Sequence, residues 1–123
     1  MTALLVVAGA VVGAPLRLWV TRIAARLGRE PAIGTLVVNV AGSAVLGALT
    51  GATGVNAATF ALVGTGFCGA LTTFSTFGAD TVRLVELRRL LGALGYVAAT
   101  LVLCIGAAVL AWAVAAGPLA YQE

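Results

Sequence analysis

Apolar positions fall into four long runs separated by short polar breaks: roughly Ala3–Thr21, Ile33–Thr50, Ala57–Val82 and Leu91–Ala115. Each is long enough to cross a bilayer as a helix, which takes about 20 residues. The short connections predict four antiparallel neighbours in one subunit, residues 1–123. Glycines recur at intervals of four or five: Gly9 and Gly13, Gly42 and Gly47, Gly47 and Gly51. Small residues let membrane helices approach closely where no hydrophobic effect drives packing. That predicts a tight bundle, and an oligomer, since four helices enclose little protected volume.

The third run departs from the pattern. Gly64-Thr-Gly-Phe-Cys-Gly69-Ala-Leu-Thr-Thr-Phe-Ser-Thr-Phe-Gly78 makes a poor continuous helix. Interior glycines cost about 1 kcal/mol each against alanine, and β-branched threonines are also disfavoured. The helix is expected to break near Gly69–Thr73, opening at Leu71-Thr72-Thr73. Backbone freed at membrane depth survives only where protein buries it or a polar cavity receives it. The break therefore marks a site, flanked by the hydroxyls of Thr72, Thr73, Ser75 and Thr76 and by Phe74 and Phe77.

Composition agrees with a membrane protein: 62% hydrophobic and 9% charged, with a mean hydropathy of +1.14. A soluble domain is roughly 45–50% apolar. The first run lacks the basic n-region of a secretory signal and is expected to be retained as a membrane helix. The net charge of +3 comes without a basic-aromatic weave, so nucleic acid is not an expected partner. With no histidine, and with Cys68 and Cys104 inside apolar runs, neither a zinc site nor a disulfide framework is expected. Trp19, Trp112 and Tyr121 lie near run ends, as interfacial anchors do.

The charge has a direction. Arg17, Arg22, Arg26 and Arg29 end or follow the first run, Arg83, Arg88 and Arg89 follow the third, and these are all seven basic residues. In a four-crossing chain both groups lie on one side. The positive-inside rule makes that side cytoplasmic and places both termini outside, in a cell membrane.

Polar side chains within the runs mark candidate positions. Asn39 lies mid-run and must face protein or water; it either fixes helix packing or offers an amide donor to an anion. Ser43, one turn on, shares its face. Tyr96, Thr100 and Cys104 fall at i, i+4 and i+8 on one stripe. Arg17 either snorkels to the interface or lures anions at a vestibule. Phe74 and Phe77 are helix-face neighbours whose ring edges carry partial positive charge. Asp80 is the one marginal candidate for a membrane-embedded titratable group. No nucleophile–base pair occurs, so no enzymatic activity is expected.

Gly34-Thr-Leu-Val-Val-Asn39-Val-Ala-Gly42, together with Gly66-Phe-Cys-Gly-Ala-Leu-Thr-Thr-Phe-Ser-Thr-Phe77, closely resembles the CrcB/Fluc fluoride channels; Gly13-Ala-Pro-Leu-Arg17 is similar to that family's first-helix signature. The resemblance implies an all-α membrane protein that forms an antiparallel dimer with two pores and passes fluoride passively out of the cytoplasm, relieving its toxicity. It implies a structural, untransported Na⁺ at the dimer centre, held by the backbone carbonyls of Gly69 and Thr72. The implied fluoride path takes in Asn39, Phe74, Ser75, Thr76, Phe77, Tyr96, Thr100 and Cys104, the last standing where a hydroxyl would be expected. The arginine bias departs from family members that insert in both orientations. It suggests pairing with an oppositely oriented sibling subunit, with self-pairing as the competitor. Two other readings remain: a small multidrug-type exporter, which would want a first-helix glutamate, and a non-transporting assembly subunit.

Overall fold

The computed structural model describes residues 1–117, so Tyr121 and the expected outward C-terminal tail lie outside the described residues. Helix α1 spans Thr2–Arg26. It ends because Gly28, at φ +69°, takes the left-handed conformation that lets the Gly28 and Arg29 N–H groups close on the Ala25 and Ala24 carbonyls. Pro31 then starts α2, Pro31–Gly51, at a first-turn position where its missing N–H costs nothing.

The third span is composite. Asn56 caps its start by accepting the Thr59 N–H at 2.8 Å. A short α3, Ala57–Thr59, leads into a π-helix, Phe60–Cys68, and a further turn, α4, Gly69–Leu71. The wider i→i+5 spacing is visible where the Gly69 N–H reaches the Gly64 carbonyl. Thr72 (φ −79°, ψ 158°) and Thr73 (φ −152°, ψ 124°) are then extended. A new helix, α5, Phe74–Glu86, begins with Thr73 as its cap. The break falls within the expected stretch, at Thr72–Thr73; Gly69, at φ −62° and ψ −33°, and Leu71 are still helical. Helix α6 spans Leu90–Ala116 and completes four apolar crossings.

Glycine decides how closely these helices meet. A Cβ on Gly9 would lie 2.6 Å from the Phe67 backbone nitrogen, and one on Gly66 would lie 2.5 Å from the Val6 carbonyl oxygen. These two positions seat α1 on the π-helix backbone to backbone. Gly47 and Gly51 do the same for α2 on α6, the most extensive helix pair in the fold. At Gly47 a Cβ would meet the Ala108 Cα at 2.7 Å and its carbonyl carbon at 2.8 Å, atoms that cannot swing aside. Gly47→Ala is therefore expected to lower stability by about 1–3 kcal/mol, read as a fall in Tm in detergent. Gly106→Ala, whose Cβ position meets open space, is the control and should not lower it.

The loops at 27–30 and 87–89 are joined by an ion pair, Glu30 Oε1 to Arg89 Nη1 at 2.5 Å. Both arginine-bearing connections thus lie at the same end of the bundle, as the crossing count requires.

Candidate functional site

The interruption at Thr72–Thr73 is held open from α2. The Asn39 side-chain Nδ2 donates to the Thr73 carbonyl at 3.1 Å, and its Oδ1 accepts the Thr73 N–H at 2.8 Å. One carboxamide thus satisfies both polar groups of an extended residue that lipid could not satisfy. In an unbroken α-helix the Thr73 N–H would point to the Gly69 carbonyl, four residues back; Asn39 diverts it. Asn39 is 8% exposed, so its amide spends these bonds within protein. Of its two readings, the packing bond is thus made, and one N–H of the amide is left for another acceptor.

Local hydroxyls complete the turn. Thr72 Oγ1 donates back to the Cys68 carbonyl at 2.9 Å. Thr73 Oγ1 contacts Thr76 Oγ1 at 3.1 Å and Ser75 Oγ at 3.3 Å, and accepts the Thr76 N–H at 3.3 Å. From α1, Arg17 turns inward, and its Nη1 donates to the Thr72 carbonyl at 3.4 Å. Gly42 makes room for this turn, since the Thr72 methyl occupies the space a Gly42 side chain would need.

Two cavities flank the break, and Thr73 lines both. The first, about 360 Å³, is bounded by Asn39, Ser43, Gly69, Thr72, Phe74, Phe77, Thr100 and Cys104 among others. The second, about 600 Å³, is bounded by Arg17, Thr21, Thr35, Thr76 and Asp80 with apolar neighbours. Five of the predicted path residues, Asn39, Phe74, Phe77, Thr100 and Cys104, therefore converge on the first cavity. Arg17 and Thr76 face the second. Ser75 is exposed on the start of α5 and lines neither.

The aromatic residues form a chain. Phe77 stands 5.7 Å from Phe74 and 5.4 Å from Tyr96 between ring centroids, tilted 48° and 40°. Phe74 is 85% exposed, so a single subunit leaves it nearly uncovered. Tyr96 and Thr100 are each 8% exposed; among the described residues the Thr100 hydroxyl has no hydrogen-bond partner, and the Tyr96 hydroxyl lies near the Thr35–Asp80 pair without closing a bond to it. A buried, unpaired hydroxyl such as that of Thr100 is unusual, because leaving such a group unmade costs about 1–3 kcal/mol.

Sequence reading passes over Thr35. It is 1% exposed and its Oγ1 donates to Asp80 Oδ2 at 2.7 Å. The available signal was its position four residues before Asn39, on the same helix face. Asp80 is thereby bonded within protein at the edge of the second cavity. Among the described residues no group of three or more His, Cys, Asp or Glu could hold a metal. Any cation at the break would have to use carbonyl and hydroxyl oxygens.

A family profile described as CrcB-like protein, Camphor Resistance (CrcB), matches residues 4–112. A fluoride-specific ion channel FluC 1 of Nocardia farcinica is 48% identical over 106 residues, 85% of this chain and 71% of the relative. A fluoride-specific ion channel FluC 2 of Rhodococcus jostii is 44% identical over 108 residues, 88% and 93% respectively. A FluC 1 of Halobacterium salinarum is 48% identical over 110 residues, 89% and 90% respectively. The chain belongs to the CrcB/FluC family of fluoride channels, multi-pass membrane transport proteins and not enzymes.

Proposed function

We propose that this chain is a subunit of a passive fluoride channel that lets the anion leave the cytoplasm down its gradient. The observation that carries the reading is the first cavity, where Asn39, the Phe74 and Phe77 rings, Thr100 and Cys104 meet beside an opened helix. Fluoride is small and strongly hydrated, so a selective passage must replace its water with fixed donors. The second Asn39 N–H, the unpaired Thr100 hydroxyl and the positive ring edges are such donors, and the Tyr96 hydroxyl, behind Phe77 and outside this cavity's lining, would extend the path. Ser75 and Thr76 would supply hydroxyls on the α5 side, and Arg17 a positive field at the mouth of the second cavity.

The break also fits a structural Na⁺. A hard cation takes oxygen ligands, and the exposed Gly69 carbonyl has lost its helical N–H to Asn39. The Thr72 carbonyl is the second donor, sharing its oxygen with the Arg17 contact. One chain offers too few oxygens to surround the ion, so the reading requires a second copy or a sibling, antiparallel, with the two breaks face to face. Once bound, such an ion would lower the cost of an anion in the adjoining low-dielectric passage. The 85% exposure of Phe74 supports the same partner, since a second subunit would cover it. Gathering the arginine-bearing loops at one end supports a single orientation, with that end cytoplasmic and the termini outside. An oppositely oriented sibling is accordingly the preferred partner.

Electrode-recorded efflux from proteoliposomes tests this. We expect fluoride to leave and chloride to stay, with full rates when the sibling is co-reconstituted and lower rates when internal Na⁺ is replaced by a larger cation. Chloride flux equal to fluoride flux would overturn the channel reading. Full fluoride flux from this chain alone would remove the need for a sibling.

A further inference from the structure

The outward face of α1 carries Trp19, Arg22 and Arg26, which the fluoride path does not use. Pro15, Trp19, Arg22 and Arg26 follow one another at helical intervals of three or four, so they share one face, with Leu18 on its flank. Pro15, Leu18, Trp19 and Arg22 line a groove of about 570 Å³, apolar along its length and cationic at one end. Trp19 is 62% exposed, and Arg22 and Arg26 are both exposed. Among the described residues the one ion pair engages Arg89, and α1 contains no acidic residue to neutralise its own arginines. Pro15 and Leu18 also edge the second cavity, which Arg17 and Thr21 meet from the inward side of α1, whereas Trp19, Arg22 and Arg26 do not line it.

We infer that this groove binds one anionic phospholipid. The order of the stripe matches the order of groups in such a lipid. An acyl chain would lie along Pro15 and Leu18, the glycerol-ester region beside the Trp19 ring, and the phosphate between Arg22 and Arg26. Indole rings favour that interfacial depth. Two guanidiniums one helical turn apart, about 6 Å between Cβ atoms, can grip one phosphate. Seven residues separate Pro15 from Arg22, a rise of about 10 Å, so the groove reaches from the headgroup well into the acyl region. Charge complementarity excludes a zwitterionic lipid as the preferred occupant, because its cationic headgroup would face the Arg22–Arg26 pair.

Native mass spectrometry of the full chain in detergent, titrated with phosphatidylglycerol or phosphatidylcholine, tests the inference. We expect a one-lipid adduct with phosphatidylglycerol that resists collisional stripping, and only weak phosphatidylcholine adducts. Arg22→Gln with Arg26→Gln should weaken the phosphatidylglycerol adduct roughly thirtyfold, about fivefold for each basic residue near an anionic surface. Arg29→Gln, outside the groove, should leave it intact. Phosphatidylglycerol brominated on its acyl chains should quench Trp19 emission in a Trp112→Phe background. Equal retention of the two lipids, insensitivity to the double substitution, an equal loss with Arg29→Gln, or displacement by millimolar inorganic phosphate would each overturn the proposal. These side chains are exposed, so the variants should fold, and an unchanged Tm accompanies a valid result.

Discussion

Replacing Asn39 with leucine is expected to abolish fluoride flux and to destabilise the subunit by about 2–6 kcal/mol. The size follows from the paired bonds to Thr73: removing the carboxamide leaves one half-buried N–H and one half-buried carbonyl without partners, at up to about 1–3 kcal/mol each. The break would then either close into helix, withdrawing the Gly69 carbonyl, or fluctuate. Asn39→Asp separates the two roles of this residue. The carboxylate still accepts the Thr73 N–H, so the turn is partly held, but it opposes the Thr73 carbonyl and places a negative charge on the first cavity. We expect a smaller fall in Tm than for leucine and an equal loss of fluoride flux. If Asn39→Leu retained wild-type Tm and flux, neither the clamp nor the donor role would stand.

Phe77→Ile should cut fluoride efflux at least tenfold, a rise of about 1.4 kcal/mol in the barrier, while the protein still elutes as a folded species. Phe77 is the middle ring of the Phe74–Phe77–Tyr96 chain. Isoleucine keeps the bulk but has no positive edge to present, and both aromatic contacts, worth about 0.5–1.5 kcal/mol each, are lost. Part of the effect will therefore register as reduced Tm, so flux is to be compared at equal amounts of folded protein. Phe74→Ile should behave differently: with its ring almost uncovered in one subunit, it should lower flux with little change in the stability of the isolated chain. Wild-type flux from both variants would take the rings out of the path and favour a non-transporting subunit.

Much of this fold was legible in one dimension. The four runs agree with the observed helices to within a few residues at most ends, because crossing length and apolarity are properties of local sequence. The larger difference is at α1, which continues through Arg22 to Arg26 beyond the predicted end at Thr21, since arginines extend a helix well and only Gly28 stops it. The glycine spacings announced close packing, which Gly9, Gly47 and Gly51 deliver. The third-span break was readable from its threonines and glycines, whereas the π-helix ahead of it was not, because no local propensity distinguishes i→i+5 from i→i+4 bonding at Phe60–Cys68.

By itself the sequence determined the number of crossings, the side on which the arginines gather, the interruption of the third helix and the family. Each of these is written in neighbouring residues and needs no knowledge of what lies across the bundle. Only the tertiary structure decided where the freed backbone goes. That Asn39 pairs with Thr73, that Thr35 holds Asp80, and that Tyr96 and Thr100 come beside Phe77 are relations between residues 19 to 45 positions apart. Such pairings arise only when α2, α5 and α6 are packed together. Inside a membrane each polar group must then find a partner within the protein or in a passage of its own.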